Sequence, residues 1–126
     1  MKKKILIVDD ELDMLYIFGE ILSQAGYDVI KASNGQDAID MAKDQHPDLI
    51  VLDIRMPGMD GIQTTDILKD CTATRDIHII YLSNLVHEDQ AEHGRVLGGK
   101  IGNLYFIPKT ASKEEILEIV RKNIKE

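Results

Sequence analysis

Residues 49–61 have the sequence LIVLDIRMPGMDG, and this stretch decides the fold. Four apolar residues lead to Asp53 without the polar alternation of a strand exposed on one face, which predicts a strand buried on both faces. Pro57 and two glycines then predict a loop, and a helical pattern follows over residues 61–71. Because a strand that is apolar on both faces needs helices on each side, this stretch predicts a parallel α/β sheet.

The same alternation of short apolar strands and helical patterns continues in both directions from this stretch. Strands are predicted at residues 4–9, 28–32, 49–53, 77–82 and 104–107, and helices at 11–25, 35–45, 61–71, 87–97 and 112–125. Gly26 suits the end of the first helix. Asn34 can cap the second helix, and Ser112 forms a capping box with Glu115 at the start of the last. Five strands alternating with five helices indicate βαβ units, whose crossovers are right-handed.

These elements predict one α/β domain over residues 1–126, without an output domain. The favoured architecture is a three-layer α/β/α sandwich around a five-stranded parallel sheet in the flavodoxin-like order 2-1-3-4-5. In that order the strand at 104–107 lies at the edge of the sheet, where the missing N–H of Pro108 is tolerated.

The bulk composition argues against several classes of function. The net charge of −7 disfavours direct binding to nucleic acid, since phosphate backbones need clustered Lys and Arg. The longest apolar runs, such as ILIV and LIVL, are too short to span a bilayer, so no membrane insertion is expected. The start MKKKILIVDDE lacks the long apolar core and cleavage site of a signal peptide, and the single cysteine, Cys71, fits a reducing compartment. A cytoplasmic protein is therefore expected.

Polar side chains follow the ends of four predicted strands. In chain order, the first strand is followed by Asp9, Asp10 and Glu11, the third by Asp53, the fourth by Ser83 and the fifth by Lys109. In an open α/β sheet the carboxyl ends of the strands form one rim, where ligands bind, so these side chains should meet there.

Three carboxylates at this rim repel one another unless cations offset their charge. Lys109 supplies one positive charge, and Mg²⁺, which prefers oxygen ligands, would supply the rest. A carboxylate nucleophile can then accept a phosphoryl group, and Asp53 is the candidate. Asp9 and Asp10 would hold the metal, while the Ser83 hydroxyl and Lys109 would stabilise the phosphoryl oxygens.

Four motifs occur along the chain in the order VDDE, LDIRMPGMDG, LSN and YFIPK. Together they resemble the receiver domains of response regulators, and the resemblance covers essentially the whole chain. It implies a phosphorelay module in which Asp53 accepts a phosphoryl group from a phosphohistidine on a sensor histidine kinase or a phosphotransfer protein. The output would pass to a downstream effector protein that the sequence does not identify.

The resemblance also implies roles for the other residues of the rim. Asp10, Asp53 and the backbone carbonyl of Arg55 would ligate Mg²⁺, and Asp9 would reach the metal through water. Lys109 would contact the phosphoryl group. Ser83 and the aromatic Phe106 would form the pair that switches a partner-binding face on phosphorylation.

The chain departs from the family pattern at three places. Thr110 follows the lysine where the family usually has proline, and because a cis bond before a non-proline residue costs about 3–4 kcal/mol, the Lys109–Thr110 bond is expected to be trans. Phe106 lacks the hydroxyl of the usual tyrosine, so a switch through it would depend on packing. The stretch from Ser83 to Lys109 is longer than is typical, with the extra residues in the glycine-rich GRVLGGKIGN.

Two other functions compete with the phosphoacceptor. The first is a degenerate receiver that binds partners without phosphorylation, which Thr110 and the long glycine-rich stretch favour. The second is an aspartate-based phosphohydrolase, which needs a second aspartate two residues after the nucleophile, where this chain has Arg55. We therefore expect no enzyme activity beyond self-phosphorylation and self-dephosphorylation. A flavin site is disfavoured because no Ser/Thr/Gly-rich loop follows the first strand, so no cofactor other than Mg²⁺ is expected.

Overall fold

A computed structural model of the protein describes residues 2–83, 99–101 and 104–124. In chain order, its elements are β1 (Lys4–Val8), α1 (Leu12–Gln24), β2 (Asp28–Ala32), α2 (Gly35–Gln45), β3 (Leu49–Asp53), α3 (Gly61–Asp70), β4 (His78–Ser83), β5 (Gly99–Ile101), β6 (Leu104–Pro108) and α4 (Lys113–Asn123). The predicted strands and four of the predicted helices are thus confirmed to within two residues at each end. The helix predicted at 87–97 lies outside the described residues.

The strands form one sheet in the order β2-β1-β3-β4-β6-β5. The five strands β2, β1, β3, β4 and β6 lie side by side in that order and pair in parallel. This confirms the predicted order 2-1-3-4-5, with β6 as the fifth strand. The predicted edge position of this strand is wrong, because β5 pairs with it antiparallel and opposes Lys100 to Tyr105. A three-residue strand with the sequence GKI carries no hydrophobic period, so the sequence pattern could not reveal it. Pro108 still lies beyond the residues that β5 covers.

Side chains of the central strands point alternately into two hydrophobic layers. Leu6 and Ile50 lie in the layer that includes buried residues of α2 and α3, whereas Ile5 and Leu49 lie in the layer under α1 and α4. Every residue of β3 is buried. This confirms the three-layer sandwich, and it explains why the LIVL run is apolar without alternation.

Local signals define the ends of the helices. The side chain of Asn34 accepts a hydrogen bond from the Asp37 N–H, and Ser112 forms its capping box with Glu115, both as predicted. Gly26 has a φ of 102°, and the Tyr27 N–H donates to the Leu22 carbonyl at 3.1 Å, which is the Schellman arrangement that ends α1. Within the described ranges, no helix has both the length and the apolar character that a bilayer crossing requires.

Candidate functional site

The carboxyl ends of the parallel strands form a pocket of about 290 Å³ at one rim of the sheet. Its lining residues are Asp10, Glu11, Asp53, Ile54, Arg55, Ser83 and Lys109. Asp9 lies behind them and is fully buried. The structure therefore brings together the acids, the hydroxyl and the ammonium group that the sequence placed at this rim, while their roles stay predictions.

The Lys109 ammonium group is the positive centre of the pocket. Its Nζ lies 3.1 Å from Asp53 Oδ2, 3.0 Å from Asp9 Oδ2 and 2.6 Å from Glu11 Oε1. Burial lowers the pKa of Lys109, but the hydrogen bonds to Glu11, Asp9 and Asp53 outweigh burial and hold the pKa above its ordinary value. Lys109 is therefore a permanent cation at neutral pH.

Asp53 ends β3 at the floor of the pocket and is only 2% exposed. Its Oδ1 accepts the backbone N–H of Arg55 at 3.2 Å, and its Oδ2 accepts a hydrogen bond from Lys109. Burial raises the pKa of Asp53 to about 7; the Lys109 hydrogen bond opposes this rise, and the negative charge of Asp9 adds to it. A cation that replaced the lost hydration would favour the ionised form.

Asp9 follows β1 directly, and its carboxylate is fixed from two sides. Its Oδ1 accepts the backbone N–H of Glu11 at 2.9 Å and a hydrogen bond from Lys109 at 3.2 Å. Its Oδ2 is buried and accepts no hydrogen bond from any described residue, although Lys109 Nζ is within ion-pairing distance. Lys109 therefore offsets the charge of this oxygen, but a carboxylate oxygen can accept more than one donor, so Asp9 Oδ2 keeps lone pairs for a metal ion or a water molecule.

The three aspartates fit a divalent metal. One carboxylate oxygen each from Asp9, Asp10 and Asp53 lies within 4.8 Å of the others. Mg²⁺ takes hard oxygen ligands and keeps several waters, so three such carboxylates and the unsatisfied Asp9 Oδ2 suit it. Arg55 also lines the pocket, and the ligand role of its carbonyl stays a prediction.

The loop after Asp53 is held close to the strand by Gly61. The Gly61 N–H donates to the Ile54 carbonyl at 2.8 Å. A Cβ at Gly61 would overlap the carbonyl oxygen of Asp53 and approach Ile54 Cα. Only glycine therefore lets α3 begin directly against the end of β3, which supports the backbone on which Asp53 sits.

The predicted switch pair occupies neighbouring strands. Ser83 is 3% exposed and lines the pocket from the end of β4. Phe106 is buried, opposes Tyr81 across the β4–β6 pair, and its ring centroid lies 5.9 Å from that of Tyr81. The described residues contain no cis peptide bond, which confirms the trans Lys109–Thr110 bond.

Two contacts of the site go beyond the sequence prediction. The sequence places Glu11 at the rim as the third acid of VDDE but gives it no role, and in the structure its carboxylate lies 2.6 Å from the Lys109 ammonium group. The Tyr81 hydroxyl lies 2.7 Å from Thr65 Oγ1, which links β4 to α3. Nothing in the spacing of these two residues, sixteen positions apart, signals that contact.

Comparisons with known proteins agree on one family. The model of the response regulator receiver domain matches residues 5–121. The alkaline phosphatase synthesis transcriptional regulatory protein PhoP of Bacillus subtilis is 35% identical over 92% of this chain, which spans 46% of that protein. The sporulation initiation phosphotransferase F of the same organism is 32% identical over 97% of this chain and 94% of its own length.

Solved structures show the same fold. The chemotaxis protein CheY4 of Vibrio cholerae superposes with a TM-score of 0.82 at 22% identity, covering 98% of this chain and all of the other. The receiver domain of the sensor histidine kinase PA1611 of Pseudomonas aeruginosa has a TM-score of 0.79 at 24% identity, with 97% of each chain covered. That domain was crystallised with a magnesium ion in its active-site cleft.

Proposed function

Because this chain belongs to the response regulator receiver domain family, and is thus a phosphoacceptor module of two-component signalling, we propose that Asp53 is its phosphoacceptor. The observation that supports this choice is the setting of its carboxylate. It is buried at the floor of an open pocket, with Lys109 on one oxygen and a backbone N–H on the other. The other two aspartates of the cluster are either closed off, as Asp9 is, or exposed, as Asp10 is.

The reaction is a transfer from a phosphohistidine of a sensor histidine kinase or a phosphotransfer protein. An Asp53 oxygen attacks phosphorus, an O–P bond forms, and the P–N bond breaks with its electron pair returning to the imidazole. Lys109 stabilises the charge on the phosphoryl oxygens, and the Ser83 hydroxyl lines the same pocket. After transfer, Ser83 and Phe106 would pass the change to an effector-binding face.

Asp9, Asp10, Asp53 and the Arg55 carbonyl would hold Mg²⁺, in keeping with the cluster geometry. When bound, the ion offsets the repulsion between these carboxylates and an anionic phosphodonor. The unsatisfied Asp9 Oδ2 supports this assignment from within the chain itself.

The two competing functions find less support in the pocket. A phosphohydrolase needs a carboxylic acid two residues after Asp53 as its general acid, and this chain has the exposed Arg55 there. A degenerate receiver would not need the full set of acids, hydroxyl and ammonium that this pocket retains. We therefore infer a cytoplasmic signalling module that turns over no outside substrate and limits catalysis to its own phosphorylation and dephosphorylation.

The test is phosphorylation by acetyl phosphate in the presence of Mg²⁺, followed by intact mass spectrometry. The wild-type chain should gain one phosphoryl group, and Asp53→Asn should gain none. Asp70→Asn, which changes an exposed acid at the end of α3, is the matched control and should react like wild type. A folded wild type that gains no adduct would point to the degenerate receiver, and repeated turnover of a phosphomonoester would point to the hydrolase.

A further inference from the structure

All three N–H groups of the Lys109 ammonium group donate hydrogen bonds in this structure. Its ammonium group donates to Asp9 Oδ1 at 3.2 Å, to Glu11 Oε1 at 2.6 Å and to Asp53 Oδ2 at 3.1 Å. An ammonium group carries three N–H donors and no acceptor, so every donor is in use. Lys109 can therefore bind an incoming phosphoryl oxygen only when one of the three carboxylates gives up its hydrogen bond.

The three carboxylates differ in what it costs them to lose that bond. The side chains of Asp9 and Asp53 are 0% and 3% exposed, so neither carboxylate can exchange Lys109 for bulk water where it lies. The side chain of Glu11 is 57% exposed and can exchange Lys109 for water. An ion pair that is half exposed contributes little to stability, so Glu11 is the partner that yields most easily.

The backbone setting of Glu11 shows that its carboxylate is not needed elsewhere. Glu11 occupies the N-cap position of α1, where a short polar side chain such as Asp, Asn, Ser or Thr commonly accepts a hydrogen bond from the first turn. Here the side chain makes no capping hydrogen bond, although the Glu11 carbonyl accepts from Met14 and Leu15. The carboxylate reaches across to Lys109, ninety-eight positions away, and leaves its own helix uncapped.

We propose that Glu11 is a positioning residue that holds Lys109 in the unphosphorylated protein and competes with the phosphoryl oxygens for its third N–H. This proposal rests on the function proposed for Asp53. With acetyl phosphate as donor, an Asp53 oxygen forms the new O–P bond and the donor P–O bond breaks with its electron pair leaving on acetate. Glu11 takes no part in these bond changes. Glu11 slows phosphorylation because its hydrogen bond to Lys109 must break first and because its negative charge repels an anionic donor.

The experiment measures the rate of phosphorylation by acetyl phosphate at saturating Mg²⁺ for four proteins: wild type, Glu11→Gln, Glu11→Asp and Asp13→Asn. Asp13 lies in the first turn of the same helix and is exposed, so its variant removes one negative charge near the site without touching Lys109. Glu11→Asp keeps the charge and shortens the side chain by one methylene group, which breaks the 2.6 Å contact.

Glu11→Gln should react about two- to fivefold faster than wild type, the range expected for a half-exposed ion pair. Glu11→Asp should also accelerate, and Asp13→Asn should match wild type. The acceleration should appear mainly as a lower half-saturating concentration of acetyl phosphate, which a general loosening of the fold would not produce. In the absence of Mg²⁺, an amine-acylating reagent should label Lys109 more readily in the two Glu11 variants than in wild type, as read by peptide mass spectrometry.

Two results would overturn the proposal while leaving the phosphoacceptor intact. One is a Glu11→Gln variant that reacts no faster than wild type. The other is an equal acceleration in Glu11→Gln and Asp13→Asn with an unchanged rate in Glu11→Asp. That result would mean that the loss of one negative surface charge alone explains the faster phosphorylation. If wild type itself takes up no phosphoryl group, the function proposed for Asp53 fails, and the role of Glu11 fails with it.

Discussion

Asp53 lies beside the other two aspartates of the cluster and the Lys109 ammonium group, and burial shifts its carboxyl group toward the protonated form although Lys109 opposes that shift. Its pKa is raised from 3.8 to about 7, chiefly because burial removes the hydration of the charged carboxylate. The folded protein thus binds a proton that the unfolded chain releases between these two pH values. The contribution of Asp53 to the free energy of unfolding is therefore at its maximum below about pH 4, and it is lost as the pH rises to about 7.

In metal-free buffer, the free energy of unfolding of wild type should fall as the pH rises from 5 to 7.5, by on the order of 2 kcal/mol. Asp53→Asn, which cannot ionise, should show a smaller fall over the same interval. Urea denaturation at a series of pH values measures both. Parallel profiles for the two proteins would show that the Asp53 pKa is not raised in the folded state.

At the scale of elements, one partly buried hydrogen bond joins a strand to a helix of the neighbouring layer. Thr65 Oγ1 donates to the Gly61 carbonyl at 2.9 Å, which uses its single proton, so the Tyr81 hydroxyl is the donor in their 2.7 Å contact. Burial raises the pKa of Tyr81 despite this bond, so the hydroxyl stays protonated. Because Tyr81 also contacts the Phe106 ring, β4 connects Thr65 of α3 with the predicted switch residue.

Tyr81→Phe should lower the free energy of unfolding by about 1 kcal/mol, the usual net value of one such hydrogen bond. Thr65→Val removes the same contact from the other side, although it also removes the bond to the Gly61 carbonyl. A double-mutant cycle measured by chemical denaturation should give a coupling free energy of about 1 kcal/mol between the two substitutions. Strictly additive effects would mean that the two hydroxyls do not stabilise each other.

At the scale of the whole molecule, a net charge of −7 is concentrated in part at one rim of the sheet. Among the described residues, four carboxylates (Asp9, Asp10, Glu11 and Asp53) share that rim with Lys109 and Arg55, so the folded state carries a local excess of negative charge that the extended chain spreads out. A divalent cation that binds the folded form alone would stabilise the whole domain by mass action.

Mg²⁺ at about 100 times its dissociation constant should raise the free energy of unfolding by about 3 kcal/mol, and a chelator should reverse the gain. Asp10→Asn removes the exposed carboxylate that we propose as a ligand and leaves the buried Asp9 and Asp53 in place, so its melting temperature should respond far less to Mg²⁺. Asp13→Asn is the control and should respond like wild type. Differential scanning calorimetry provides the comparison, and an equal Mg²⁺ response in all three proteins would place the metal elsewhere.

Much of the fold was predictable because its signals are local. Apolar runs located the strands, and the capping residues Asn34 and Ser112 located two helix starts within a few positions. The rim residues followed from the strand ends alone, since parallel strands place their carboxyl ends together. The capping box of Asp60 and Gln63 obeys the same local rule and was overlooked.

The sequence alone predicts the layer order of the fold and the set of polar groups at its rim. How these groups share their hydrogen bonds follows from the tertiary structure: Lys109 donates to Glu11, and Asp9 Oδ2 accepts no hydrogen bond from the described residues. The physical reason is distance along the chain. Periodicity and capping act over a few residues, whereas these contacts join residues up to a hundred positions apart and depend on how β1, β3 and β6 pack.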